Sequence, residues 1–159
     1  MIRPARSEDR GAIWAILEPV IRAGETYALD SDMGEAAALA YWLDEAHSTF
    51  VFEGEAGILG TYYLRRNHAG GGSHVSNCGY MVAPAARGKG VARAMCAHSL
   101  DEARRRGFNA MQFNFVVATN VGAIGLWQVM GFAVVGTLPD AFRHPSRGLT
   151  DALVMFRSL

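Results

Sequence analysis

The chain has 159 residues, half of them apolar and 19% charged, with fifteen basic side chains balancing fifteen acidic ones. That length buries a core without staples, and the composition belongs to a folded globule rather than a disordered segment. Zero net charge removes the global support that a nucleic-acid surface needs.

The elements read as follows in chain order. A short strand, Ile2 to Ala5, precedes a helix that Ser7 or Asp9 can cap, with Ile13, Ile16, Leu17 and Val20 at helical spacing. Gly24-Glu25-Thr26-Tyr27 breaks that helix, and a second begins near Asp32 with Leu39, Trp42 and Leu43 on one face. Thr49 to Glu53 and Ile58 to Leu64 read as strands joined by a tight turn, and Arg66 to Ser73 reads as a loop. His74 to Val82 reads as a strand, Gly90 to Arg106 as a helix closed by Gly107, and Ala110 to Val117 as a strand. A helix near Asn120 to Met130 and strands near Ala133 to Leu138 and Leu149 to Phe156 complete the order. Strands on both sides of a central βαβ unit imply a mixed α/β sheet within one domain, 1–159. Met1 to Arg6 lacks the apolar run of a signal peptide, and no stretch is apolar for long enough to span a bilayer. Cys78 and Cys96 form neither a CxxC pair nor a disulfide framework, which suits a reducing compartment. The expectation is a soluble, cytoplasmic protein without membrane or nucleic-acid partners.

Arg87-Gly88-Lys89-Gly90-Val91-Ala92 carries the most information, because a strand runs into it and a helix leaves it. A small-residue loop feeding a helix leaves backbone N–H groups unpaired, with the positive end of the helix dipole behind them. Phosphate is the usual guest of such a cradle, and Arg87, Lys89 and Arg93 add positive charge. A P-loop would need glycine where Ala83 stands and Ser or Thr after Lys89. A dinucleotide fingerprint starting at Gly88 would need glycine where Arg93 stands. Both nucleotide readings fail.

What remains is Arg-x-x-Gly-x-Ala at Arg87, Gly90 and Ala92, directly after Gly79-Tyr80-Met81-Val82-Ala83-Pro84, and it resembles the pyrophosphate motif of the GNAT superfamily of acetyl-CoA-dependent N-acetyltransferases. Asn120 to Phe132, with Leu126-Trp127 and Gly131-Phe132, resembles the later helix and turn of that family. The resemblance implies an α/β (α+β) fold with a mixed, mostly antiparallel central sheet flanked by helices, whose two central parallel strands splay to admit acetyl-CoA as cosubstrate. It further implies cofactor contacts at Met81, Val82, Arg87, Gly88, Lys89, Gly90, Val91, Ala92, Arg93, Asn120 and Trp127, with an oxyanion-binding N–H near Val82. No metal is expected.

Where family members often carry a general-base Glu, this chain has Asn77, and where many carry a general-acid Tyr it has Trp127. Neither side chain transfers a proton at neutral pH, so catalysis is expected to rest on positioning and carbonyl polarisation, with Asn77, Val82 and Asn114 at the reacting centre. Asn77 and Asn114 can grip a carboxylate or amide of a small acceptor, or can merely satisfy backbone groups where the sheet splays. Glu25, Thr26 and Tyr27 are candidates for the acceptor mouth. Asn77-Cys78-Gly79-Tyr80, Phe113-Asn114, Asn120 and Leu126-Trp127, together with the early Glu25-Thr26-Tyr27 loop, are similar to fungal azetidine-2-carboxylate acetyltransferases, and the early loop and general layout more weakly to phosphinothricin acetyltransferases. The implied function is acetyl transfer to the amine of a small, amino-acid-like acceptor by direct attack in a ternary complex. A protein or peptide N-acetyltransferase and a non-catalytic acyl-CoA-binding domain stay open, and analogy adds a homodimer as one arrangement. His47, His68 and His144 read as solvated loop histidines, Phe142 to Gly148 as a flexible connection over the acceptor, Tyr80 as core, and His74 with Cys78 as an unconvincing nucleophile pair.

Overall fold

A computed structural model describes all 159 residues. Four helices, α1 (Arg10–Ala23), α2 (Glu35–Trp42), α3 (Val91–Arg105) and α4 (Val121–Val129), accompany seven strands. The strands are β1 (Ile2–Pro4), β2 (Ser48–Gly54), β3 (Gly57–Arg66), β4 (Val75–Val82), β5 (Ala110–Val117), β6 (Ala133–His144) and β7 (Gly148–Ser158). They form one sheet in the order β1-β2-β3-β4-β5-β7-β6. Every neighbouring pair is antiparallel except β4 and β5, which the long α3 connection makes parallel. The architecture is the mixed, largely antiparallel α/β sheet anticipated from the sequence.

Period-two alternation sends β3 into two cores at once. Tyr62 and Leu64 pack with Met95, Cys96 and Leu100 of α3 and with Phe113 and Trp127. Tyr63, on the opposite face, packs with Ile13, Leu17, Trp42 and Val51 beneath α1 and α2. Gly60 sets how closely α3 approaches, because a Cβ there would meet Val91 Cγ1 at 2.8 Å and Met95 Cε at 2.9 Å. The start of α3, and with it the loop before it, is thereby seated directly on β3.

Several elements depart from their sequence outlines. The second helix starts at Glu35 rather than near Asp32, because Gly34 is its cap, and Leu43 falls just past its end. β6 does not stop at Leu138. It bulges between Leu138 and Phe142, with Asp140 in the left-handed region and its N–H donated to the Asp151 carboxylate, then pairs through His144↔Gly148. Phe142 to His144 is therefore strand, not flexible connection. His144 is buried rather than solvated, and His47 stacks on Tyr63 with ring centroids 4.2 Å apart. His68 is exposed, as expected.

Before α1, the Asp9 carboxylate accepts from Arg3 Nη1 and Nη2 at 2.8 and 3.0 Å and from the Arg6 backbone N–H at 2.7 Å, while Arg3 Nε donates to Glu53. These bonds tie β1 to the first helix around a buried charge, and the Arg3 hydrogen bonds hold the carboxyl below its ordinary range.

The parallel junction is short. Only Val75↔Ala110 and Ser76↔Met111 are in register, and beyond them β4 and β5 part. Asn77 sits at the fork. Its Nδ2 donates to Gln112 O at 3.0 Å and its Oδ1 accepts from Arg65 Nε at 3.3 Å, so one buried side chain clips three strands where regular pairing ends. From Asn77 to Val82 the open edge runs roughly 20 Å.

Two stability predictions follow from these buried polar groups. Asp9→Ala should lower the unfolding free energy by about 2 kcal/mol at neutral pH. A depressed carboxyl contributes stability that is complete above its unfolded pKa of about 3.9 and is lost as pH falls through its lower folded value. The gap between wild type and variant in urea titrations should therefore close on acidification, and a gap independent of pH would contradict the ion pair. Asn77→Ala strands the Gln112 carbonyl and should lower stability by about 1–3 kcal/mol. An unchanged melting temperature would show that the fork holds without its clip.

Candidate active site

Between β4 and α3 the chain makes one 3₁₀ turn at Pro84–Ala86 and then the loop Arg87–Gly90. Gly88 and Gly90 sit at φ +74° and +78°, the left-handed region that favours glycine, and Gly90 caps α3. The backbone N–H groups of Gly88, Gly90, Val91, Ala92 and Arg93 have no acceptor in the protein, while Lys89 N donates to Ala86 O. Arg87, Lys89 and Arg93 are exposed and make no ion pair. The residues expected to cradle a pyrophosphate thus lie together as free donors, flanked by free cations at a helix N-terminus.

The edge of β4 leads from this loop into the fork. Ala83 N donates to Leu59 O, so β3 and β4 share hydrogen bonds at Leu59/Ala83 and, two residues on, at Thr61/Met81. Tyr80 and Val82, in the alternate positions, turn their main-chain groups away from β3 and toward the gap. The Tyr27 hydroxyl confirms this orientation by donating to Tyr80 O at 2.8 Å. Of the two strand positions expected to meet the cofactor arm, Val82 faces the gap. Met81 directs its main chain at β3 and its side chain into the core under α1. Tyr80 is the second gap-facing position, and only the register reveals it.

The remaining site candidates fall into different places. Trp127 is 8% exposed and packs on Tyr80 and Phe113 with centroids 5.0 and 5.1 Å away, so it is core more than wall. Asn120 caps α4, its Oδ1 accepting from Ala123 N at 3.4 Å. Asn114 accepts from Gln112 Nε2 at 2.9 Å and donates to Asn67 Oδ1 at 2.6 Å. Asn77 and Asn114 are therefore linked only through Gln112, and both are engaged in the protein's own hydrogen bonds. The Tyr80 phenol bonds Ser99 Oγ at 2.7 Å inside the α3 core, and burial raises its pKa well above the usual value. Burial also pushes the Cys78 thiol up to about 12, which leaves it inert, and His74 beside it is exposed. No group of His, Cys, Asp and Glu is arranged to hold a metal ion.

A cavity of about 410 Å³ lies between the α1–α2 connection and the end of β6. Tyr27 lines it and touches the gap edge, so cavity and gap adjoin. Arg22 fixes the connection by donating to Ser31 O and Met33 O at 2.7 and 2.9 Å. Across from it stand Phe142, Arg143 and His144, of which Arg143 has no ion-pair partner. His144 Nδ1 accepts from Ser146 N at 3.2 Å, which in the neutral ring leaves Nε2 as the N–H donor. Glu25 and Thr26 do not line this cavity, whereas Tyr27 does. From the sequence, Phe142 to Gly148 reads as a flexible connection over the acceptor, with neither Arg143 nor His144 singled out as a contact. That the segment continues as strand follows from its pairing with β7, which three residues of sequence do not reveal.

Comparison with known proteins agrees with this geometry. The model of the acetyltransferase (GNAT) family matches residues 13–132, well over half of the chain. A GCN5-related N-acetyltransferase structure from Kribbella flavida superposes with a TM-score of 0.95 at 42% identity, covering 100% of this chain and 97% of that one. The structure of a ribosomal-protein-alanine N-acetyltransferase from Brucella melitensis gives 0.88 at 26% identity over 100% and 99%. The N-acetyltransferase aca1 of Schizosaccharomyces pombe is 35% identical over 108 residues, 67% of this chain, and the match spans about half, 52%, of that protein's length. A free amide cradle, a parted parallel pair and a family match over the same residues lead to one conclusion: the chain belongs to the acetyltransferase (GNAT) family.

Proposed function

We propose that the protein moves the acetyl group of acetyl-CoA to the amine of a small, amino-acid-like acceptor by direct attack in a ternary complex. One observation carries this reading: the open β4 edge leads from a cradle of free N–H groups to a cation-bearing cavity that adjoins it at Tyr80 through Tyr27. Acetyl-CoA supplies the activated acyl thioester. The N–H groups of Gly88 and Gly90 to Arg93 hold its pyrophosphate, with Arg87, Lys89 and Arg93 offsetting the charge. Val82 offers a main-chain N–H and C=O to the amide-rich arm. Tyr80 N–H polarises the thioester carbonyl, a contact worth about 3–4 kcal/mol in acyl transfer.

The acceptor enters from the cavity. Arg143 and His144 Nε2–H meet its carboxylate, and its neutral amine forms the C–N bond as the C–S bond breaks. The amine's proton leaves to water, because position 77 holds an amide rather than a carboxylate. The thiolate departs without a dedicated acid, since a thiol of pKa about 8.5 is a good leaving group. Asn77 and Asn114 support the reaction by holding the fork open. A cavity of about 410 Å³ supports a compact acceptor. Similarity to the Brucella melitensis enzyme makes a peptide α-amine the second reading.

An acceptor screen decides between them. With acetyl-CoA and amino acids, proline analogues, polyamines and short peptides, CoA release should depend on amino-acid-sized amines. Release with peptides alone would select the second reading, and acetyl-CoA binding without turnover on any amine would refute both. Arg143→Ala should raise the KM for a carboxylate-bearing acceptor roughly tenfold while leaving that of its carboxamide analogue unchanged. Gly90→Glu places a bulky anion in the left-handed cap beside the free N–H groups and should abolish acetyl-CoA binding in calorimetry. Wild-type affinity in that variant would move the cofactor elsewhere.

A further inference from the structure

At the end of β4 remote from the proposed acetyl-CoA loop lies a second cavity, of about 390 Å³. Arg66 pairs with Ser76 and Asn67 N donates to Val75 O, which fixes this cavity at the first residues of β4. The length of that strand separates it from the Arg87–Gly90 loop by roughly 23 Å. Its wall includes Arg65, Arg66, His68 and Arg106, and no carboxylate. Arg66 has no hydrogen bond or ion pair, and Arg65 makes a single bond, through Nε to Asn77. Glu102 bonds Arg106 but is shared with Arg105. In a chain of zero net charge, Arg66, His68 and Arg106 border one concavity, where low-dielectric walls focus their field, while Arg65 turns its guanidinium to Asn77 on the other face of β3.

The same wall is wired to the fork. Arg65 Nε holds Asn77 Oδ1, Asn77 Nδ2 holds Gln112 O, the Gln112 side chain holds Asn114, and Asn114 holds Asn67. Asn67 closes this chain imperfectly, since its Nδ2 is buried without a partner. An unpaired buried donor is costly, so Asn67 is a point at which a small shift of the wall gains a hydrogen bond.

We propose that this cavity binds a small polyanion, a metabolite bearing phosphate or clustered carboxylates, through Arg66, His68 and Arg106, and that occupancy is transmitted through Asn67 to the Asn77 clip. A planar guanidinium pairs with either oxyanion in bidentate fashion, and Asn67 is the residue that both lines the cavity and joins the amide network of the fork.

The test uses the intact protein with inorganic phosphate and citrate as separate probes, followed by calorimetry and by amide NMR. Saturable binding of one or both is expected, and which probe binds more tightly assigns phosphate or carboxylate as the preferred chemistry. Arg66→Gln, an exposed change with no bond to lose, should weaken binding at least tenfold while leaving the melting temperature and acetyl-CoA affinity unchanged. The Asn77 side-chain amide resonance should move on titration of wild type and stay still in Arg66→Gln. No saturable binding of either probe, equal affinity in the variant, or displacement of the probe by acetyl-CoA would overturn the site. Binding with an unmoved Asn77 resonance would overturn the link to the fork.

Discussion

The parting of β4 from β5 is the constraint from which the rest of this molecule follows. A parallel pair that stayed closed would satisfy its own N–H and C=O groups along its whole length. Here pairing stops after Ser76/Met111, and the gap-facing main chain of Tyr80 and Val82 is left for other partners. An open edge in the middle of a sheet is otherwise a liability, since unpaired strand groups are costly when buried. The protein confines the opening by closing β4 against β3 over seven positions and β5 against β7 on the far side. One buried amide, Asn77, then marks where the opening begins.

Packing aims the ends of that opening. Gly60 brings α3 down onto β3, which places the free N–H groups of its first turn beside the upper end of β4. Tyr27 reaches from the α1–α2 connection to the Tyr80 carbonyl and so brings that connection against the same edge. The bulge in β6 carries Arg143 and His144 to the other wall of the cavity. The free N–H groups, the open edge and the cavity are thus each anchored on the sheet and on α3, through Gly60, Tyr27 and the β6 bulge.

The loop motif was readable because its chemistry is local. Two left-handed glycines, a following helix start and neighbouring basic residues occupy consecutive positions, and no tertiary information is needed to see them. The order of elements was legible for the same reason, and β5 was outlined to the residue. Asn77 and Asn114 were the hard cases. Each can grip a ligand or satisfy the backbone, and the residue type does not distinguish these roles. Their partners, Gln112, Arg65 and Asn67, lie on separate strands and turns. Met81 and Tyr80 differ by one position in the sequence, yet face opposite neighbours, because the hydrogen-bonding parity of β3 and β4 is set by their register.

The amino-acid sequence by itself determined the family, the mixed sheet and the glycine-rich helix start with its free N–H groups, since each depends on short-range spacing and on helix-terminus chemistry. Only the tertiary structure decided which main-chain groups open to the gap, that Asn77 is a clip, and that Arg143 and His144 share a cavity with Tyr27. Those facts depend on strand register and on contacts between residues far apart in the chain, and such contacts leave no periodic trace in a single sequence.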